Sequence, residues 1–544
     1  MDAPNVLVIM TDQERYPTPY EDDVVRKFRR EQMPAREWVR DGGLEFHRHY
    51  VGATACLPSR TTMLTGQYPS LHGAAETDGI AKHHDDPAMN WLDPDQVPTV
   101  GDWFRAAGYG SHYRGKWHVS HADLLVPGTH QSLLTSDDDG RVLAEYVDAY
   151  RRADRLDPFG FSGWIGREPH GAKKADSGTV RDGIFADQVT ELFDELAAAR
   201  SEGPWFTVAS FVNPHDIAFN GFAWEQILHM DAIPDSVPAI PEAPSQRDSF
   251  AGHPPCHEQW KALWPRITYE QETDGEYRRL YYHLHAMVDR ALLRVIESLE
   301  EHGMADDTIV VFTSDHGDLL GSHGGMMQKW YNAYDETIRV PFVVKGPGVQ
   351  ARDGGVSTPT SHVDLIPTLL GLAGVDVEAA RARLEESHTE ARELPGRDLA
   401  PVVRGSVDEA AVAAPVYFMT VDNISRGLSM GNVLTGEPYD AVDAPARVES
   451  VVAPLPGADG AEHLWKLSHY YERLDDWHAA HGIAPNPFAA PAAEPMFELY
   501  DLTVDPEERS NVATTDAAAR TALLQVIDEQ RDAKRLLPRL RNPV

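Results

Sequence analysis

Short, uninterrupted apolar runs of five to eight residues recur along the chain, and each stops on a cluster of polar or turn-forming residues. Residues 6–10 end at Thr11-Asp12-Gln13, and residues 205–212 at Asn213-Pro214-His215-Asp216. Residues 308–313 end at Ser314-Asp315-His316-Gly317, and residues 340–344 at Lys345-Gly346-Pro347-Gly348. Runs of this length and β-branched content predict strands, and the missing polar alternation predicts burial on both faces. Longer stretches with helical spacing lie between them. Residues 280–302 place Met287, Ala291, Val295 and Leu299 on one face and close on Gly303; residues 363–374 form a second apolar helix with a terminal glycine. Alternating strands and helices predict an α/β fold with a large, mostly parallel sheet flanked by helices. Polar residues gathered past the carboxyl ends of three strands mark the place where such sheets bind ligands.

The pattern changes after about Gly405. Residues 436–463 and 479–495 are rich in Pro, Ala, Gly and Asp and predict long loops. Residues 464–467 and 497–500 predict short strands, and residues 516–535 a final helix. Residues 378–393 read as a charged helical insertion with a solvated face. The chain is therefore expected to divide into a large catalytic domain over 1–405 and a smaller C-terminal α+β subdomain over 406–544, built on a short antiparallel sheet. A length of 544 residues suits two such units.

Apolar content of 42% and 25% charged residues are ordinary for a soluble globular protein. A net charge of −36 argues against nucleic acid or an anionic membrane as a partner, and requires a local positive pocket for any anionic substrate. Only two cysteines occur, Cys56 and Cys256, so no disulfide framework is expected, and Cys256 reads as a small loop residue. The first apolar run follows Met1-Asp2-Ala3-Pro4 directly, without a basic segment, and is too short for a signal sequence; the expectation is a cytoplasmic protein.

The densest chemistry lies in Cys56-Leu57-Pro58-Ser59-Arg60. Pro58 suits a first helical turn, which puts the Cys56 side chain at a helix N-terminus, where N–H groups and the macrodipole favour negative charge. Arg60, one turn on, adds a planar cation suited to an oxyanion. Asp12 and Asp315 follow separate strands, with Gln13 and His316 beside them. Two carboxylates, an amide oxygen and an imidazole form a candidate set for one divalent cation that also touches Cys56.

The stretch C-x-P-S-R-x-x-x-L-T-G over 56–66, followed by Gln67-Tyr68-Pro69 and His72-Gly73, resembles the signature of the type I sulfatases of the alkaline phosphatase superfamily. Gly108-Tyr109, then Gly115-Lys116-Trp117-His118, resembles a second family segment, with Ser111 where threonine is usual. Residues 334–341 and 497–508 resemble two more. The resemblance implies that a maturation enzyme oxidises Cys56 to formylglycine, whose hydrate attacks sulfur and forms a covalent sulfo-enzyme intermediate. It further implies that Lys116 bridges formylglycine and sulfate oxygens, that His118 is the base that opens the intermediate, and that His215 and Lys329 serve the leaving group. Gln13 and His316 depart from the usual Asp and Asn, as in choline-sulfatase-like and phosphonate-monoester-hydrolase-like relatives. The implied metal is Ca²⁺, and His316 also admits Mn²⁺.

The expected function is hydrolysis of a small-molecule sulfate monoester, arylsulfatase-like. The alternative keeps the nucleophile and takes phosphonate monoesters or phosphodiesters; a remote third is a non-catalytic binding protein. Loops over 122–177 and 217–270 are expected to set substrate choice, and their Trp164, His170, Trp224 and Trp260 are expected first as fold anchors and second as pocket walls. Self-association into a homo-oligomer stays open.

Overall fold

The computed structural model describes residues 3–129, 131–169, 173–199, 203–472, 481 and 496–539. Its centre is a sheet of six strands: β1 (Asn5–Asp12), β2 (Leu44–Glu45), β3 (Gly110–Gly115), β4 (Trp205–Pro214), β5 (Thr308–Ser314) and β6 (Phe342–Lys345). In space they run β2-β6-β5-β1-β4-β3. The four strands β5, β1, β4 and β3 are parallel, with Val8 of β1 opposite Val208 on one side and Val311 on the other. β6 runs antiparallel to β5 and to β2, so the sheet is mixed around a parallel centre.

Side-chain alternation divides β1 between two cores. Val6, Val8 and Met10 join one, Leu7 and Ile9 the other, and β5 repeats the split with Ile309 and Val311 against Val310 and Phe312. Because helices cover both faces, every position is apolar, which is why the strand reads as a run. The principal helices are α1 (Cys56–Thr65), α2 (Gly178–Ala198), α3 (Pro255–Ile267), α4 (Gly275–Glu301), α5 (Leu365–Ala373) and α6 (Ala517–Lys534). Ile366, Leu369 and Leu370 of α5 join the first core. Phe185, Val189 and Phe193 of α2 join the second with Ala291, Val295 and Leu299 of α4, three of the four positions in the expected stripe. Each such aliphatic side chain contributes roughly 1.5–3 kcal/mol when fully buried.

A separate four-stranded antiparallel sheet, β7 (Val416–Thr420), β8 (Arg447–Pro456), β9 (Glu462–Tyr471) and β10 (Met496–Asp501), follows in chain order. Tyr417, Val451, Leu467 and Leu499 on one of its faces pack on Leu523 and Ile527 of α6. Among the described residues no helix is long and apolar enough to cross a membrane.

Four expectations need correction. Residues 340–344 are not one strand, because Pro341 cannot donate to a ladder. Arg339–Val340 pairs with His49–Tyr50 in a small third sheet, and the chain re-enters the large sheet as β6, antiparallel. Residues 436–463 are not all loop, since β8 occupies Arg447–Pro456 within that span with Arg447–Ala453 buried; Pro454 and Pro456 at its far end disguised it. Cys256 is not a loop residue but a buried one in the first turn of α3. The charged insertion is helical only over Val377–Leu384. The loop expected over 479–495 lies, except for His481, outside the described residues, as does His170.

Candidate active site

The four parallel strands all deliver polar residues to one edge of the sheet. β1 ends on Asp12, β4 leads to His215, β5 leads to Asp315 and His316, and β3 leads to Lys116 and His118. At the last turn of β3, Gly115 has φ +96°, and a Cβ there would lie 1.8 Å from the carbonyl oxygen of Ser210. Only glycine permits that approach, and it sets the start of Lys116 against β4. α1 points its first turn at the same place. Its Cys56 is 3% exposed, and all ten of its residues are buried.

Arg60 organises the centre. Its Nε donates to Asp315 Oδ2 at 2.7 Å, its Nη2 to Asp12 Oδ2 at 2.9 Å, and its Nη1 to the Lys116 carbonyl and to Ser210 Oγ, both at 2.9 Å. One planar guanidinium thus ties together the ends of β1, β3, β4 and β5. Lys116 Nζ lies 2.6 Å from Asp12 Oδ2. Burial pushes the Asp12 carboxyl up, but Lys116 and then Arg60 overcome it and hold it well below the usual carboxylate range. Burial likewise opposes charge on Lys116, and Asp12 followed by Cys56 reverses that and raises it.

With one edge of each carboxylate bound by cations, the other edge faces a shared space. Asp12, Cys56, Asp315 and His316 each present a donor atom there, all within 4.8 Å of one another. Cys56 Sγ is 3.1 Å from His316 Nε2 and 3.8 Å from Asp12 Oδ1. His316 Nδ1 lies 2.9 Å from the Gly317 carbonyl, which can only accept, so Nδ1 carries the proton and Nε2 presents its lone pair. Burial holds this imidazole below its ordinary pKa, against the pull of Asp315. Two ionised carboxylates, a neutral imidazole nitrogen and residue 56 fit a divalent cation.

The other expected residues ring this cluster. His118 sits at φ +50°, with Nε2 2.8 Å from Asp78 Oδ1. Burial opposes its charge, and hydrogen bonds to Asp78 and Cys56 outweigh that and raise its pKa. His215 is half-buried; burial and then the charge of Lys116 hold it well below the usual imidazole range. Lys329 Nζ donates to Gln13 Oε1 at 2.6 Å and lies 4.6 Å from the centre of the Trp330 ring. Gln13 holds φ +71°; its amide nitrogen donates to Asp318 at 2.5 Å and Gln328 at 3.0 Å, and its backbone N–H donates to Asp315 Oδ1 at 3.0 Å. Its side-chain oxygen is thus committed to Lys329, and it reaches the four-donor cluster through its backbone.

Several participants escaped the sequence reading. Glu168 accepts the backbone N–H groups of Trp117 and His118 at 3.0 and 2.9 Å. Asp78 aims the His118 ring, and Ser59 donates to the Asp315 carbonyl. A cavity of about 230 Å³ opens beside His118, walled by Asp78, Lys82, His83, Trp91, His121 and Arg167. Much of that wall comes from residues 78–91, outside both loops expected to govern substrate choice. Trp164, Trp224 and Trp260 are buried, and donate to the carbonyls of Gly115, Asp231 and Met327, as fold anchors do.

Known proteins resemble this chain in sequence and in fold. A choline-sulfatase of Rhizobium meliloti is 27% identical over 397 residues, which are 70% of this chain and 69% of that protein. A Delta 4,5-hexuronate-2-O-sulfatase of Bacteroides thetaiotaomicron is 26% identical over 87% of this chain and 78% of its own. The crystal structure of a phosphonate monoester hydrolase of Agrobacterium radiobacter has the same fold, with a TM-score of 0.59 at 20% identity over 98% of this chain and 96% of that one. Residues 4–375, which hold every residue of the cluster described above, match the family model described as Sulfatase, and the chain belongs to the sulfatase family.

Proposed function

We propose that this chain hydrolyses sulfate monoesters at the cluster around Cys56. The observation that carries the reading is the position of Cys56: at the start of a buried helix, 3.1 Å from His316, with Arg60 and Lys116 close by in a chain whose net charge is −36. A sulfate ester is drawn to the only kind of place such an acidic protein can offer it, a nest of cations fixed by the fold. Formylglycine at position 56, when hydrated, would supply two geminal hydroxyls, one to attack sulfur and one to expel sulfate afterwards. A divalent cation held by Asp12, Asp315, His316 and residue 56, Ca²⁺ or Mn²⁺ by its donors, would lower the cost of ionising the attacking hydroxyl.

The chain's own residues do the rest. Arg60 fixes Asp12 and Asp315, and Lys116 faces both Asp12 and residue 56, so its ammonium group meets the sulfate oxygens. His118, strengthened as a base by Asp78, takes the proton from the second hydroxyl. His215 stays neutral at pH 7, so it assists the departing alcohol by donating an N–H hydrogen bond. Lys329, aimed by Gln13, brings its N–H donors to the ester oxygen. The large domain over 1–405 carries this chemistry, and the chain depends on a formylglycine-generating enzyme for maturation.

Mass analysis of the peptide holding Cys56, from enzyme turning over an aryl sulfate, tests the reading. The expected mass is that of formylglycine or its hydrate; an unmodified thiol in fully active enzyme would falsify it. A second substrate class is favoured by one observation, the Gln13–Lys329 pair beside His316, found here in a fold shared with a phosphonate monoester hydrolase. Sulfate and phosphonate esters are tetrahedral anions of similar shape. Comparing kcat/KM for an aryl sulfate and a phenylphosphonate monoester ranks them, and the larger value is expected for the sulfate.

A further inference from the structure

A second group of metal-ligand side chains lies away from the candidate active site, where α3 meets the C-terminal sheet. His253 just before α3, His257 in its first turn and Glu498 on β10 each present one donor atom, all within 4.8 Å of one another. His257 is 1% exposed, and its Nε2 lies 2.9 Å from the carbonyl oxygen of Tyr331. A carbonyl only accepts, so Nε2 carries the proton and Nδ1 carries a lone pair. That buried Nδ1 has no hydrogen-bond partner among the described residues, which is costly for a polar atom out of water. One ring nitrogen donating to a backbone carbonyl while the other aims a lone pair at a shared point is how metal-bound histidines are held.

The surroundings complete the picture. Glu498 is fixed by Tyr470 at 2.6 Å, Tyr334 at 2.7 Å and Tyr500 at 3.0 Å, so its carboxylate cannot turn away. His253 Nδ1 donates to it at 2.8 Å. A cavity of about 10 Å³, room for one water-sized particle, is lined by both histidines. Cys256 is not part of the set, since its Sγ faces the Tyr331 carbonyl at 3.9 Å.

We propose that His253, His257 and Glu498 form a second metal site, for a zinc-class divalent cation, that ties α3 to the C-terminal sheet. Two imidazoles and one carboxylate suit a tetrahedral ion with its fourth position open to the cavity. Ligands at about 2.0–2.2 Å from a tetrahedral ion stand about 3.3–3.6 Å apart, so His253 Nδ1 and Glu498, now 2.8 Å apart, must part slightly to admit it. His253, on the loop before the helix, is the member free to move. Coordination through Nδ1 moves the His253 proton to Nε2, so a neutral imidazole takes up the ion by changing tautomer.

Zinc chloride titration of the full-length protein after chelation, with metal counted by mass spectrometry, tests the site. It is run beside Asp315→Asn, which weakens the cluster at Cys56. The expected result is one equivalent of zinc that survives in Asp315→Asn and is lost in His257→Gln, with turnover in His257→Gln unchanged. Cobalt(II) gives a second, spectroscopic reading: the intense visible bands of a tetrahedral site should appear in the parent protein and persist in Asp315→Asn. Zinc uptake that vanishes entirely in Asp315→Asn, or cobalt showing only octahedral bands there, would overturn the proposal and leave the cavity to a water molecule.

Discussion

Lys116 and Lys466 are both fully buried lysines in this chain, and they show what separates a site from a strut. Lys466 Nζ has three acceptors, the Ala333 carbonyl at 3.0 Å, Asp335 at 2.5 Å and Glu508 at 3.0 Å, one for each of its N–H groups. Lys116 has Asp12 as its sole ion-pair partner among the described residues, and Arg60 shares that carboxylate. In each, burial opposes the charge and a neighbouring aspartate overcomes it: Asp12 for Lys116, Asp335 for Lys466. The difference is donor capacity left over. Lys466 is spent on the fold and locks β9 to the segment before Arg339–Val340, while Lys116 keeps donor capacity of the kind the proposed sulfate binding requires.

Replacing each lysine by methionine should separate the two roles. Lys116→Met is expected to lower kcat/KM for an aryl sulfate by about 10²–10⁴, the range for losing one preorganised charge from a transition state. Its Tm should stay near that of the parent, because Arg60 still satisfies Asp12. Lys466→Met leaves Glu508 buried without its cation and Asp335 with Arg339 alone, and breaking a buried pair typically costs about 3–5 kcal/mol. Urea unfolding should register that loss, while the fraction still folded turns over normally. A Lys466→Met enzyme that stays stable but loses turnover would erase the distinction.

The strand-end logic explains how much of this was legible. Asp12, His215, Asp315 and His316 follow apolar runs, and Cys56 and Arg60 share a helical turn, so local pattern alone placed them together. Gln13 was found for the right place and the wrong side-chain partner, because its φ of +71° turns the amide towards Lys329, and no spacing rule encodes that. Glu168 and Asp78 were invisible for a different reason. Each meets His118 across 50 or 40 residues of intervening chain, and nothing in a loop's composition says where its carboxylate will land. Strand β8 was missed because its buried part includes Glu449 and Ser450, which pair with Arg531 of α6 and the Leu467 carbonyl of β9. The apolar pieces of β9 and β10, at 464–467 and 497–500, were seen, whereas β7 over Val416–Thr420 was not among the strands expected.

A glycine gives the comparison a finer edge. Gly115→Ala puts a Cβ against the Ser210 carbonyl at a φ that alanine rarely adopts. Strain of that kind costs of order 1–3 kcal/mol. Because the residue adjoins Lys116, it should also misplace the ammonium group. The expected outcome is a modest fall in Tm with roughly a tenfold fall in kcat, since small displacements at a reacting centre are felt in the rate. If only Tm falls, Lys116 is held from its far side by Asp12 rather than from its backbone.

The smallest effect concerns the support of His118. Burial, then the charge of Asp123, push the Glu168 carboxyl up to about 8. In the unfolded chain it titrates near 4.5, so between those values the folded protein holds a proton that the unfolded one has lost. Stability then falls as pH rises across that window, because the folded state is the one that binds more protons. Glu168→Gln cannot ionise, yet it keeps an oxygen to accept from Trp117 and His118. The two proteins should melt together near pH 4, and the glutamine variant should become the more stable by a few degrees as pH approaches 8, with turnover nearly unchanged. A carboxylate ionised throughout, paid for by its two backbone donors, would give the opposite sign, with the variant weaker at high pH. Melting curves from pH 4 to 8.5 therefore decide whether His118 rests on a neutral acid or on a charge.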